Sequence, residues 1–599
     1  MFDRTTWIAI ALSIAGLVGW QYYYSKTYAP YLAQQAEIQK AAKLKEKEAA
    51  AKGSPAPAVA TAASVTPSPA TPAPTAAATP FIPELSNKRE TLDTSRAEYL
   101  FAGNLGGIES ITLFLHLGAN QQQSLFLNRE APLPIGALCD ATGVPVAGFT
   151  MESDKAKGFT RFQTTLPAGL AISKSFTLPS STVSPQEYLV SLDITFSNTG
   201  TNPLTHPGFS IAAGGQAPVH TSDLPTYTCF DWCRDGKMTS TDVNWFEAGT
   251  IPLIGIQTRA ARPLYTQGEQ GIQWAAVSSQ YFCTIITAPK EQPGTGVWAR
   301  RYDAVKGGEK DATQPVHGIT GGLGTGPISL SPGESVTRRY SIYAGPKDFT
   351  ALGKLGQDQQ KVMNFGMFHL VSEFLLWAMN SIQHYVGSFA AAIIILTILI
   401  KSALWPLQNK ATASMKRMQL LSPKMTELRE KYKDDPTKMN EELMKLYKQY
   451  GVNPFGGCLP MLVQIPIFFG FYSMLGSAIE LRNSHFLWIH DLSQPDTIAH
   501  LLGFPINLLP ILMAGTMVWQ MAISPKSGDA AQQRIMYFMP VIFLTFCYNY
   551  ASGLALYWTT QNIFSIVQLY LTRNQPLPTL EKVVTKSKGK GAGGGGRKR

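Results

Sequence analysis

The sequence predicts a multi-domain membrane protein: an α-helical transmembrane bundle of six spans, an all-β sandwich domain and a helical hairpin. Three observations predict it. Apolar runs near the roughly 20 residues needed to cross a bilayer gather after residue 360, with one more at the N-terminus. Residues 90–345 are polar and alternate with period two. The charge is local: residues 406–455 hold ten Lys/Arg against six Asp/Glu, and residues 573–599 hold eight against Glu581 alone. Together these stretches carry the entire net charge of +11. Basic charge confined to segments beside spans is the positive-inside signature.

Residues 1–25 read as an anchor. The run WIAIALSIAGLVGWQYYY at 7–24 has only Arg4 as a basic flank, an interfacial belt at Tyr22, Tyr23 and Tyr24, and Pro30 blocking cleavage after Ala29. An uncleaved span is favoured over a signal peptide. Residues 26–89 form a linker whose Ala, Pro, Thr and Ser content at 53–80 is that of a disordered tether. Residues 90–347 form the sandwich. YLVSLDITFSNTG sets Tyr188, Val190, Leu192, Ile194 and Phe196 on one face, and Gly, Pro and Asn punctuate the strands. Cys229 and Cys233 in CFDWC are the candidate disulfide of a domain outside the cytoplasm. Residues 348–384 contain FGMFHLVSEFLLWAMNS, read as an amphipathic helix in the outer interface, the alternative being a linker helix packed on the β domain.

Residues 385–573 form the core, with spans at 385–405, 457–479, 501–523, 535–551 and 554–572. Only Ser552 and Gly553 separate the last two, which makes them antiparallel neighbours. An alternating path places both termini, 411–450 and 524–534 in the cytoplasm, and the β domain and 480–500 outside. Within 411–450, Met418, Leu421, Met425, Leu428 and Tyr432 keep helical spacing, as do Met439, Leu443, Leu446 and Tyr450. Asp435 is a candidate N-cap with Pro436 at the first helical position. Pro423 is expected to restart the helix at the membrane exit. The hairpin is either a self-contained coiled coil or, through its methionines, an adaptable landing surface. Residues 574–599 are a basic, Gly-rich tail.

Lys401 is the single charge in the 385–405 span. A charge at mid-membrane costs roughly 2.5–3.5 kcal/mol on insertion scales. Lys401 therefore either snorkels to the headgroups or serves a site. Thr397 lies one turn before it, Gln464 sits mid-span, and the last span holds Thr559, Thr560, Gln561, Asn562, Ser565 and Gln568. Such groups form interhelical hydrogen bonds or line a hydrated cavity. There is no Walker A loop, GxSxG elbow or HExxH helix, so neither enzymatic activity nor a cofactor or metal is expected. His485, His490 and Asp491 read as part of an interfacial loop with Phe486, Leu487 and Trp488. A solute transporter would show inverted repeats with broken helices, and no such symmetry is visible. A tethered carbohydrate enzyme would gather acidic or His residues in one pocket of 90–345.

NPFGGCLPMLVQIPIFFGFY at 453–472, ELRNSHFLWIHDLSQPD at 480–496, MPVIFLTF at 539–546 and SGLALYW at 552–558 resemble the YidC family of membrane protein insertases. Residues 90–345, ending in SIYAGPKD at 341–348, resemble that family's periplasmic β-supersandwich. The resemblance implies a bacterial inner-membrane insertase and folding chaperone with a five-helix core. It implies a hydrophilic groove open to cytoplasm and lipid, accepting nascent membrane proteins alone or beside the Sec translocon, without ATP hydrolysis. Lys401 falls where the family usually has Arg, and Thr397 matches a groove position. Gln464, Tyr557, Trp558 and Gln561 complete the expected groove, with Trp558 standing where the family often has a second Tyr. Ile465, Phe468, Val541, Ile542 and Phe546 match the slide along which a substrate helix leaves. The basic tail is a candidate contact for ribosomal RNA or for anionic lipid.

Overall fold

The computed structural model describes residues 89–118, 124–180, 182–220, 223–250, 257–304, 316–452, 459–501, 504–524 and 530–572. The expected anchor, tether and basic tail lie outside the described residues. The chain divides into two compact units, Met1–Ile82 with Trp245–Pro263, and Pro83–Asn244 with Leu264–Arg599. In the first, Gly249–Thr250 pairs antiparallel with Gln257–Arg259. There Arg259 Nη2 donates to the carbonyls of Trp245 and Glu247, each at 2.9 Å.

In the second unit the period-two segments form a sandwich. A nine-stranded antiparallel sheet runs in the order Lys237–Asp242, Cys229–Arg234, Ile272–Ser278, Phe282–Thr287, Ser335–Pro346, Leu189–Asn198, Leu170–Thr177, Phe159–Thr165 and Thr150–Asp154. A five-stranded sheet packs on its face, with Ser210–Gln216 and Val316–Gly324 against Ile272–Ser278. A four-stranded sheet built from 89–127 covers the other end, where Phe101 meets Phe162 and Phe176 at 6.1 and 5.6 Å between ring centroids. Val190, Leu192, Ile194 and Phe196 are fully buried and Tyr188 nearly so, as the alternation predicts.

The disulfide expectation does not hold. Cys229 and Cys233 lie four residues apart on one strand, Cys229–Arg234. That spacing is about 13 Å, whereas a disulfide needs Cα atoms within about 7 Å. Both thiols are free and buried. Cys229 Sγ donates to Thr226 O at 3.2 Å, and Cys233 Sγ to Gln273 Oε1 at 3.5 Å.

Lys174 is wholly buried between the four- and nine-stranded sheets. Its Nζ donates to the carbonyls of Leu105 at 3.4 Å, Gly136 at 3.0 Å and Gly106, and lies 4.4 Å from the Phe149 ring centroid. Burial pushes the ammonium down to about 7. The three carbonyls and the ring oppose this by favouring the charged form.

The helical part contains α1 (Phe349–Leu355), α2 (His369–Val386), α3 (Phe389–Ala403), α4 (Trp405–Lys431), α5 (Pro436–Gln449), α6 (Leu459–Ser477), α7 (Leu508–Ile523), α8 (Ala530–Cys547) and α9 (Ser552–Thr572). Asp348 caps α1 through Ala351 N at 2.8 Å, and Asp435 caps α5 through Lys438 N at 3.0 Å with Pro436 behind it. Gly387 ends α2 in the left-handed conformation at φ 71°, which Gly adopts without steric penalty. On α2, Ser372, Leu375, Leu376 and Met379 are buried, and Ser372 Oγ donates to Gly470 O of α6 at 3.1 Å. Leu370, Phe374 and Trp377 form an exposed apolar stripe at spacings of four and three.

Three expectations change. The helix does not restart at Pro423, which lies inside continuous α4. The break is at Leu404, where α3 and α4 meet at 58° because Pro406 can start a helix but not continue one. Residues 501–507 do not extend α7, because Thr497–Leu501 and Phe504–Asn507 pair as a hairpin. Helices α8 and α9 are not close backbone neighbours; α9 packs mainly on α7 and α3, and meets α8 through Phe543 and Trp558. Among the described residues no single helix is long and apolar enough to cross a membrane, while the bent pair α3–α4 passes on length and composition.

Replacing Lys174 by Met leaves three buried carbonyls without a donor. The expected outcome is a loss of about 2–4 kcal/mol in β-domain stability, read by denaturant unfolding followed through tryptophan fluorescence.

Candidate functional site

The break at Leu404 determines where Lys401 sits. Its side chain leaves the last turn of α3 and lines a small concavity with Leu404, Leu407, Gln408, Gln464 and Gln568. Lys401 has neither a hydrogen-bond nor an ion-pair partner among the described residues. The polar groups around it are fixed on other partners. Gln464 Nε2 donates to Tyr557 Oη at 3.0 Å and to Gln561 Oε1 at 3.1 Å, linking α6 to α9. Gln568 Nε2 donates to Asn409 Oδ1 at 3.1 Å, linking α9 to α4. Lys401 therefore faces Gln464 and Gln568, whose Nε2 groups are already tied to α9 and α4, with Gln408 beside them.

Of the expected groove residues, Lys401 and Gln464 line one concavity, and Gln464 in turn bonds Tyr557 and Gln561. Tyr557 is buried, its ring stacked on Phe471 at 4.1 Å. Thr397, one turn before Lys401 on α3, is buried, and its hydroxyl donates to Ile393 O at 2.7 Å within its own helix. Trp558 turns to the other side of α9 and packs against Phe468 at 4.7 Å and Phe543 at 4.3 Å. Thr559, Thr560 and Ser565 likewise donate to carbonyls one turn earlier, and Asn562 donates to Thr516 Oγ1 of α7 at 3.0 Å.

The expected slide residues share one apolar surface on α6 and α8. Val541, Ile542 and Phe546 are 55–59% exposed and Ile465 is 37% exposed, so among the described residues this face is largely uncovered. Phe468 stands behind it, in contact with Phe469, Tyr472, Phe543 and Trp558. Trp558 thus packs with the aromatic residues of α6 and α8.

The hairpin residues meet one another. Leu421, Met425, Leu443, Leu446 and Val452 form a buried cluster, with Met418, Leu428 and Met439 packed against it. Its apolar seam is consumed within the α4–α5 pair, as in the self-contained alternative.

In the 480–500 loop, Trp488 Nε1 donates to Asp496 Oδ2 at 3.0 Å, and the same oxygen accepts from Leu509 N at 2.6 Å. The loop thereby caps α7, and Leu487 rather than Trp488 is its exposed apolar tip. His485 and His490 lie 6.2 Å apart, and no three His, Cys, Asp or Glu residues gather for a metal among the described residues.

Sequence reasoning missed Gln408 and the Gln568–Asn409 bond. Gln568 was visible as a polar residue of the last span, but only the bend at Leu404 brings Asn409 to it.

Residues 381–578 match the family described as 60Kd inner membrane protein, and residues 144–378 match the YidC periplasmic domain. The chain is similar to a membrane protein insertase YidC of Syntrophus aciditrophicus (strain SB), 32% identical over 84% of this chain and 88% of that protein. A second relative of that name, from Syntrophobacter fumaroxidans, is 34% identical over 70% of this chain and 72% of its own length. Among solved structures, an active YidC insertase with its first transmembrane domain resolved is matched over 82% of this chain and 93% of that one, with 18% identity and a TM-score of 0.33. The chain belongs to the YidC family of membrane protein insertases.

Proposed function

We propose that this protein receives hydrophobic segments of nascent membrane proteins beside Lys401 and releases them into lipid along the α6–α8 face. The observation that supports this reading is the juxtaposition of an unpartnered cation in a polar concavity with an uncovered apolar face one helix away. The protein is read as lying in the bacterial inner membrane, with α3 and α6–α9 as spans, an N-terminal anchor completing six, both termini cytoplasmic and the β domain periplasmic. The short helices fit a locally thinned bilayer, or spans completed by their flanking turns.

The energetics allow this without ATP. About 20 Leu- or Val-like residues gain roughly 6–12 kcal/mol on entering lipid, at about 0.3–0.6 each. The polar flank must cross at about 2.5–3.5 kcal/mol per charge. Lys401 lowers the barrier for acidic flanks, because two opposite charges 10 Å apart attract by about 1.7 kcal/mol at an effective dielectric of 20. An inside-negative potential adds about 2.3 kcal/mol per negative charge per 100 mV. Long or highly charged flanks exceed this supply and call for the Sec translocon. Ribosomal RNA and anionic lipid are the proposed partners of the basic tail and the 406–455 stretch.

In proteoliposomes holding only this protein, Lys401→Ala is expected to slow insertion of a one-span substrate with a short acidic flank by about 5- to 30-fold. Lys401→Arg should retain insertion and Lys401→Glu should lose more than Ala. Equal insertion by all four would make Lys401 a snorkelling anchor. A photo-crosslinker at Ile465 or Val541 should capture a stalled substrate helix, and one at Leu443, inside the closed hairpin seam, should not.

A further inference from the structure

The outer ends of α6 and α8 meet the β domain at one node. Tyr227, at the end of the turn Pro225–Tyr227, places its hydroxyl 2.7 Å from that of Tyr550, just past α8. Gln280 Nε2 donates to Gly476 O at 2.7 Å, near the end of α6. Tyr281 Oη donates to Ser493 O at 3.2 Å. Tyr550 in turn stacks on Tyr472 of α6 at 4.9 Å, and Tyr472 stacks on Phe546 of the slide at 6.0 Å. There is no room at the node. A Cβ on Gly476 would overlap Tyr227 Oη and lie 2.5 Å from Tyr550 Oη.

Elsewhere α6 and α8 meet through aromatic side chains and not through close backbone packing. In lipid no hydrophobic force draws two helices together, so their separation must be set by packing and by hydrogen bonds. Burial pushes the Tyr227 hydroxyl well above its usual range, so it stays protonated and able to bond at any physiological pH.

We infer that the β domain is a positioning element for substrate release: Tyr227 and Gln280 hold the outer ends of α6 and α8 at the separation the slide needs. This rests on the reading of the α6–α8 face as the exit path. Tyr227 touches no substrate; it acts through Tyr550 and Gly476.

The test uses the full-length protein in proteoliposomes, with spin labels at Ser473→Cys and Thr545→Cys reporting the α6–α8 separation. Tyr227→Phe and Tyr550→Phe should each broaden that distance distribution and slow insertion about threefold. The double variant should be no worse than either single, since both remove the same bond. Gly476→Ala should be more severe, and adding Tyr227→Phe with Tyr550→Phe should restore part of both readouts by making room for the methyl group. A separation unchanged in all variants overturns the inference, whatever the insertion assay shows. A broadened separation with wild-type insertion overturns its functional half. If the unmodified protein inserts nothing, the exit-path reading fails, while the distance measurement still decides whether the β domain sets the helix spacing.

Discussion

A polar side chain inside an apolar bundle must find a partner, and Gln464 is where this constraint shapes the core. It projects from the middle of α6, a helix otherwise apolar and aromatic, and its amide nitrogen is divided between Tyr557 and Gln561 on α9. One side chain thereby fixes the rotation of α6 about α9. With that rotation set, Phe471 stacks on Tyr557 on the inner side, while Ile465 and Phe468 turn toward α8. The polar and apolar surfaces of the core are two faces of the same helix, held apart by one forked hydrogen bond. Gln464→Leu would leave a buried Tyr hydroxyl and an amide oxygen unpaired at once, which is more costly than the loss of an exposed bond.

The second determinant is the break at Leu404. Had α3 continued straight into α4, Lys401 would lie on the flank of one long helix and could reach the headgroups. The 58° bend instead carries Leu407, Gln408 and Asn409 across the end of α9 and closes the concavity over Lys401. Snorkelling and site-forming roles for a lysine one turn from a helix end cannot be told apart by spacing alone. The direction of the chain after it, which Pro406 sets, places Leu407 and Gln408 against Lys401.

Much of the fold was legible because periodicity reports burial. The strand Leu189–Asn198, the Asp435–Pro436 cap and the hairpin seam all follow from local pattern, and local pattern is enough where an element's environment is uniform along one face. Residues whose role depends on a rotation or a bend were legible only as residue types. Thr397 and Trp558 were expected in the groove; Thr397 bonds the Ile393 carbonyl on its own helix, and Trp558 packs on Phe468. Tyr557 and Trp558 are adjacent, and on a helix one step is 100° of rotation, enough to pass from one face to another. The CFDWC pair misled for a related reason. Four residues along a helix is one turn, but along a strand it is about 13 Å.

The contacts between the β domain and the helices had no sequence signal at all. Tyr227, Gln280 and Tyr281 sit in turns and strand ends whose composition is ordinary, and their partners Gly476, Ser493 and Tyr550 are separated from them by some two to three hundred residues. They nonetheless act where the bundle is least able to hold itself. The pairs α9–α7 and α9–α3 are closely packed along their length, so their geometry is set from within. An opening through which a helix can leave requires one pair of neighbours that is not so packed. In that pair the separation is set indirectly, through α6–α9, α9–α7 and α7–α8, and at the outer ends by the β domain. A β domain that bonds to the helix ends and leaves their exposed faces free meets both demands of the proposed exit path.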